Sequence, residues 1–349
     1  MFLDALRRAG SVEVFEPPRP SRARRRLAEA WRRPRSAIPG TEPSGAARRA
    51  FQRTRPGGFD LVWFAEVYSY AAFAGDVPGR AGIDIARLES MVVERELRLC
   101  GASATVPDLE RRRAQWLELE ERIVEHADVI TVCNDIDAAQ LGSPACEVVP
   151  TGYPDPQRHR TEVGLHTPPV LVTQGTLDLE QNADAARYAV REIVPLVRQS
   201  VPDVELRVVG PGPAAVLDDL AGVPGVVATG YVEDMGAELA GADVAIAPIR
   251  HGGGIHVKVI EAFAHQLPVV TTPIGTEGVD PEPWYEALVA QSAAEFADRC
   301  IELLRSEELR HRVATGGRKL YLRRFELGAV EQRVAAIAQG AVAASLHQP

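Results

Sequence analysis

The stretch "RHGGGIHVKVIEAFA", residues 250–264, concentrates the residue types best suited to chemistry in this chain. Among 39 basic residues only Lys258 and Lys319 are lysines, and Lys258 follows a run of three glycines by one helical turn. The apolar pattern after the glycines predicts a helix from Ile255. On its wheel Ile255, Val259, Ala262 and Phe263 share an inward face, while Gly254, Lys258, Glu261 and His265 form a separate polar stripe. A lysine in the first turn of a helix is disfavoured by about 0.3–1 kcal/mol, because the helix dipole already makes that end positive. An anion placed there removes the conflict. Glycines let backbone N–H groups approach a phosphate closely, and Lys258 adds a compact point charge. Glu261, one turn deeper, suits ribose hydroxyls. A plainer arrangement is a tight glycine turn with Lys258 paired to Glu261 at the surface. The rarity of lysine and the strand–loop–helix context favour the anion.

The elements that must position these residues repeat along the chain. In the first half "SVEVF", "FDLVWF", "AGIDI", "ADVITVC" and "CEVVP" read as buried strands, with helical segments such as "DLERRRAQWLELEERIVEHA" between the later ones. Pro150 to Pro169 reads as a linker. The alternation then restarts with "PVLVTQG", "VELRVVG", "GVVATGY", "ADVAIAPI" and "LPVVTT", each followed by a helix or loop, and residues 292–346 are helical. In "NADAARYAVREIVPLVRQS" the residues Ala183, Ala186, Val190, Ile193 and Val197 form one apolar stripe, and Pro195 predicts a kink or break. Strands alternating with helices imply parallel sheets covered on both faces. The fold class expected is therefore α/β, with two Rossmann-like domains facing a cleft and ligands bound beyond the carboxyl ends of the strands.

Composition bounds the rest. A chain of 349 residues, 46% hydrophobic and 25% charged, fits a two-domain globular protein. No run of about 18 apolar residues suggests a spanning helix, and the first residues lack the apolar core of a signal peptide. The four cysteines form no CxxC pair, which points to reduced thiols and a cytoplasmic setting. The net charge of −9 conceals a basic segment from Arg19 to Arg55, where 12 arginines face only Glu29 and Glu42. Within it "SRARRRLAEAWRR" has the spacing of a basic amphipathic helix that docks on an anionic membrane surface at the inner face. A solvated insertion accounts for the same composition. No aromatic platform accompanies the charge, so nucleic acid is not an expected partner.

"APIRHGGGIHVKVIEAFAHQLPVVTTPIGTEGVD" resembles the donor-site segment of the group 1 (family 4) glycosyltransferases, which have the GT-B fold. "VTQGTLDLEQNADAARYAVREIVPLVRQSVPDVELRVVGPGP", "GVVATGYVEDMGAELAGADVAIAP" and "HADVITVCNDIDAAQL" resemble further parts of that family in the same order. The resemblance covers about residues 125–325. It implies an acceptor-side domain over 1–160, a nucleotide-sugar donor domain over 161–325, and a C-terminal helix over 326–349 that packs back on the first. It implies that Glu261 holds the donor ribose and Lys258 faces the donor phosphates. Gly175 and Thr176 would border the diphosphate, and Tyr231 and Val232 would line the base. Arg250 is a second candidate cation for the leaving group, with an ion pair as its alternative role. The implied reaction is retaining transfer of a sugar from a nucleotide diphosphate to a hydroxyl of a glycan, lipid-linked or small-molecule acceptor. It needs no metal and no cofactor beyond the sugar nucleotide.

The sequence departs from that family in specific places. The glutamate often found eight residues before Glu261 is Gly253 here, which shifts sugar recognition to His251 and to the backbone of Gly252, Gly253 and Gly254. The arginine and lysine common after the first donor-domain strand are absent from "TLDLEQN". The family's first strand and its glycine-rich loop are expected to be missing, and Glu66 is the candidate polar group of the first domain, with a helix-start role as its alternative. "DID" at Asp135–Asp137 follows a strand, so Asn134 or Asp135 is expected to cap a helix rather than bind metal. His251 and His256 are five residues apart, the wrong spacing for a shared metal face. Two other readings share these features: a nucleotide-sugar epimerase, and a degenerate domain that binds a nucleotide sugar or a partner without turnover. No GxGxxG follows the first strand of either half, which argues against a dehydrogenase.

Overall fold

The computed structural model describes residues 7, 14, 45–54, 58–100, 105–156 and 164–343. The expected strand "SVEVF", most of the basic Arg19–Arg55 segment and the question of a missing first strand lie outside these residues. The chain divides into two compact units, one comprising residues 1–149 with 331–349 and the other residues 150–330.

In the first unit, strands β1 (Val62–Phe64), β2 (Ala81–Ile85), β3 (Val129–Val132) and β4 (Cys146–Val148) form a parallel sheet in that order. Helices α1 (Gly45–Arg53), α2 (Val67–Phe73), α3 (Glu89–Cys100), α4 (Val106–His126) and α5 (Asp135–Leu141) accompany it. The stripe Leu109, Trp116, Leu119 and Ile123 of α4 is buried with Ile83, Ile85 and Ile130 of the strands. Every strand of this unit within the described residues coincides with an apolar run read from the sequence. Asn134 caps α5 by accepting from Asp137 N–H at 2.7 Å, which is the role expected for it instead of metal binding.

The second unit holds a six-stranded parallel sheet in the order β10–β9–β8–β5–β6–β7. Its strands are β5 (Val170–Gln174), β6 (Glu205–Val209), β7 (Val226–Gly230), β8 (Val244–Ala247), β9 (Val269–Thr271) and β10 (Leu288–Val289). The two-residue β10 is too short to leave an apolar signature and is not legible in the sequence. Its helices are α6 (Glu180–Tyr188), α7 (Val194–Ser200), α8 (Ala214–Ala221), α9 (Met235–Ala240), α10 (Val257–Ala264), α11 (Ala293–Arg305) and α12 (Glu307–Arg324). The last helix, α13 (Leu327–Ala343), starts in this unit and ends in the first.

Side chains alternate across this sheet. Leu171, Leu206 and Ile246 pack on one face with α6, α7 and α11, while Val170, Val172 and Ala245 pack on the other with α10 and α12. Ala183, Ala186, Val190, Ile193 and Val197 are all at most 1% exposed, as one helical stripe against a sheet requires. Pro195 does not end that helix, which runs on helically from Glu180 to Ser200. A π-helical turn over Ala189–Ile193 precedes Pro195, which falls in the first turn of α7, where its missing N–H costs no hydrogen bond.

Strand order places the functional loops. The sheet turns at β5 and β8, adjacent strands whose crossovers run in opposite directions, and such a switch point opens a crevice beyond the strand ends. The chain leaving β5 is Gly175–Thr176, and the chain leaving β8 is the Arg250–Gly254 loop.

Candidate functional site

Helix α10 begins at Val257 with His256 at its N-cap, two residues later than the sequence pattern suggests. The glycine loop claims Ile255 and His256: Gly252 and Gly254 adopt φ values of +122° and +74°, so the loop is still turning there. Lys258 is thus in the first turn. Val259, Ala262 and Phe263 are fully buried on the sheet side, and Ile255 packs against the same core. His265, read as part of the polar stripe, is instead buried.

Lys258 is half-buried and donates from Nζ to Asn182 Oδ1 at 3.0 Å, rather than pairing with Glu261 at the surface. Asn182 in turn donates from Nδ2 to the Thr176 carbonyl at 3.0 Å, which fastens the lysine to the loop after β5. Burial pushes the Lys258 ammonium down to about 8, and the nearby Glu261 charge only partly offsets this. Gly175 makes the close approach possible. Its φ is +145°, and a Cβ there would sit 2.9 Å from Asn182 Nδ2 and 3.4 Å from Lys258 Nζ.

Glu261 lies one turn further along α10. Its Oε1 accepts from Tyr153 Oη at 2.7 Å and its Oε2 from Gln174 Nε2 at 3.1 Å. Gln174 Nε2 also reaches the Lys258 carbonyl at 3.1 Å, so the last residue of β5 is tied to the first turns of α10. The crevice therefore offers a lysine, a carboxylate held in place, and the backbone of two glycine-bearing loops.

The remaining candidates are placed differently. Arg250 donates through Nε and Nη2 to both oxygens of Asp184, at 3.0 and 2.5 Å, and its guanidinium covers the Tyr188 ring at 4.4 Å. The ion-pair role held open for it is thus the one the side chain adopts. His251 Nε2 stands 3.6 Å from the same Asp184. Gly252 sits against Gln181, whose Oε1 would be 2.7 Å from a Cβ, and Gly253 lies between the two left-handed glycines. Tyr231 follows β7 and is 74% exposed, while Val232 packs partly against the α10 core. Glu66 belongs to the first unit, where it occupies the N-cap of α2, exposed and without a capping hydrogen bond from its side chain.

Tyr153, Gln174 and Asn182 were not legible as site residues. Gln174 and Asn182 are amides with no motif to mark them, and Tyr153 lies within the stretch read as a linker. A polar residue ending the buried run "PVLVTQ" was the one available signal. Among the described residues no group of three or more His, Cys, Asp or Glu side chains is placed to hold a metal ion.

The six-stranded parallel sheet with its switch point at β5 and β8 is a Rossmann-like α/β unit, and with a second parallel-sheet unit the chain has the GT-B fold. Residues 168–306 match the family model of the glycosyl transferases group 1, and this match marks the protein as a glycosyltransferase. Solved structures agree in fold. Sucrose-phosphate synthase from Thermosynechococcus elongatus is 16% identical, with a TM-score of 0.68 over 86% of this chain and 78% of that one. Alr3699/HepE from Anabaena, solved with UDP and glucose, is 13% identical, with a TM-score of 0.62 over 83% of this chain and 80% of that one. WaaG, a glycosyltransferase involved in lipopolysaccharide biosynthesis, is 18% identical, with a TM-score of 0.59 over 88% and 85%. No curated protein matches the chain.

Proposed function

We propose that the protein moves a sugar from a nucleoside diphosphate to a hydroxyl of a glycan, glycolipid or small-molecule acceptor, with retention of configuration and without a metal. The observation that carries this reading is Lys258: a half-buried ammonium in the first turn of α10, fastened by Asn182 to the loop that leaves β5 at the switch point. A buried lysine at the positive end of a helix is unfavourable unless an anion completes it.

Departure of the nucleotide breaks the bond between the anomeric carbon and the β-phosphate oxygen and leaves the electron pair on that oxygen. In this reading Lys258 and the first-turn amides of α10 stabilise this charge, the task a metal performs in other designs. Glu261 accepts hydrogen bonds from the ribose. HepE and the pneumococcal O-GlcNAc transferase GtfA were both solved with UDP, which supports a nucleoside diphosphate as the ligand. Retention rests on the likeness of residues 168–306 to the group 1 enzymes.

Thermal unfolding with UDP, GDP, dTDP, ADP and the matching nucleosides tests the reading, with Lys258→Ala and Glu261→Ala alongside. Stabilisation by one diphosphate that is lost in both variants supports it and identifies the base. Absence of any shift favours a domain without turnover.

A further inference from the structure

Glu261 is unusual among the carboxylates of the second unit in having each oxygen held by a different side chain, Tyr153 at 2.7 Å and Gln174 at 3.1 Å. Tyr153 is itself immobilised through its backbone. Its N–H donates to the Phe325 carbonyl at 2.8 Å, and its own carbonyl accepts from Leu327 N–H at 3.1 Å and from Tyr321 Oη at 3.0 Å. Its ring meets His265 edge-on at 6.4 Å.

We propose that Tyr153 is a positioning residue that locks the Glu261 carboxylate as a hydroxyl acceptor, and so makes the site select ribonucleoside over deoxyribonucleoside diphosphates. This rests on the donor-site reading above. A free glutamate samples three side-chain torsions and forfeits that freedom when it binds a ligand. With both oxygens anchored, that cost is met on folding, and the remaining lone pairs keep fixed directions. A hydroxyl that reaches them gains a charge-assisted bond; an analogue without it leaves a desolvated carboxylate short of a partner. The phenol can only donate here, because burial and the Glu261 charge hold its proton well above the usual tyrosine range. Gln174 cannot substitute for Tyr153, since its amide is shared with the Lys258 carbonyl.

The test is isothermal titration of the full chain and of Tyr153→Phe with UDP, GDP and ADP and with their 2′-deoxy and 3′-deoxy counterparts. Wild type should bind the preferred ribonucleotide about tenfold or more tightly than at least one deoxy form, the scale of one charge-assisted hydrogen bond. Tyr153→Phe should bring that ratio within about threefold by weakening the ribonucleotide alone, with unliganded melting unchanged. Glu261→Gln should reproduce the loss, and the double variant should add little to it, as for two residues acting as one unit. Unchanged discrimination in Tyr153→Phe, or equal weakening of ribo and deoxy forms, overturns the proposal alone. Wild type that binds a diphosphate without discriminating does the same. Wild type that binds no nucleoside diphosphate overturns the donor-site reading and the proposal with it.

Discussion

Lys258 Nζ and Asn182 Oδ1 are 3.0 Å apart, which joins the first turn of α10 to the first turn of α6 across the crevice between β8 and β5. An amide oxygen orients the ammonium without neutralising it. The charge stays available to an incoming anion, whereas a carboxylate at residue 182 would consume it.

Lys258→Ala should therefore weaken nucleoside diphosphate binding by about 10- to 100-fold, the worth of one hydrogen bond to a charged group. The matching nucleoside should lose less than about threefold. Titration of both ligands decides it, and equal losses would mean that the substitution disturbs the fold.

The depressed Lys258 pKa makes a pH prediction whose sign is fixed. The folded chain releases this proton near pH 8 and the unfolded chain near 10.5, so folding is penalised below pH 8 and the penalty fades between 8 and 10.5. Lys258→Met should melt higher than wild type at pH 7, with the difference shrinking as pH rises through that window. Diphosphate binding at pH 9 should take up a fraction of a proton, because an anion restores the charged form. Calorimetry in buffers of different ionisation enthalpy measures that uptake.

Gly175→Ala forces a side chain into a φ of +145° and against Asn182. A cost of about 1–3 kcal/mol is expected from strain of this kind, read as a lower denaturant midpoint. Displacing Asn182 also releases Lys258, so diphosphate affinity should fall along with stability.

Arg250 offers the contrast. Its guanidinium is already committed to both oxygens of Asp184 and to the face of Tyr188. Arg250→Ala should change diphosphate affinity less than about threefold. A tenfold loss in the same titration would instead put that charge on the phosphates.

The sequence by itself determined most of the local elements. Short continuous apolar runs such as "PVLVTQ" and "ADVAIA", bounded by turn residues, read as strands buried on both faces, and the 3-and-4 spacing of Ala183 to Val197 reads as one buried helical face. Asn134 acts within a few residues of itself, so the cap at α5 follows from local chemistry, whereas the π-helical turn before Pro195 was not legible. A rare lysine behind three glycines points to the crevice residue on which the proposed anion site rests.

Tertiary structure decided which residues meet. Strand order sets β5 beside β8 although 69 residues separate Gln174 from Val244, and only that pairing brings Gln174 and Asn182 to Lys258 and Glu261. It also closes Asp184 onto Arg250, which turns a candidate cation into half of an ion pair. Tyr153 reaches Glu261 from 108 positions away in the chain. Periodicity reports which face of an element is buried, but a hydrogen bond between distant elements depends on how the sheet is ordered, and no local pattern of residue types records that.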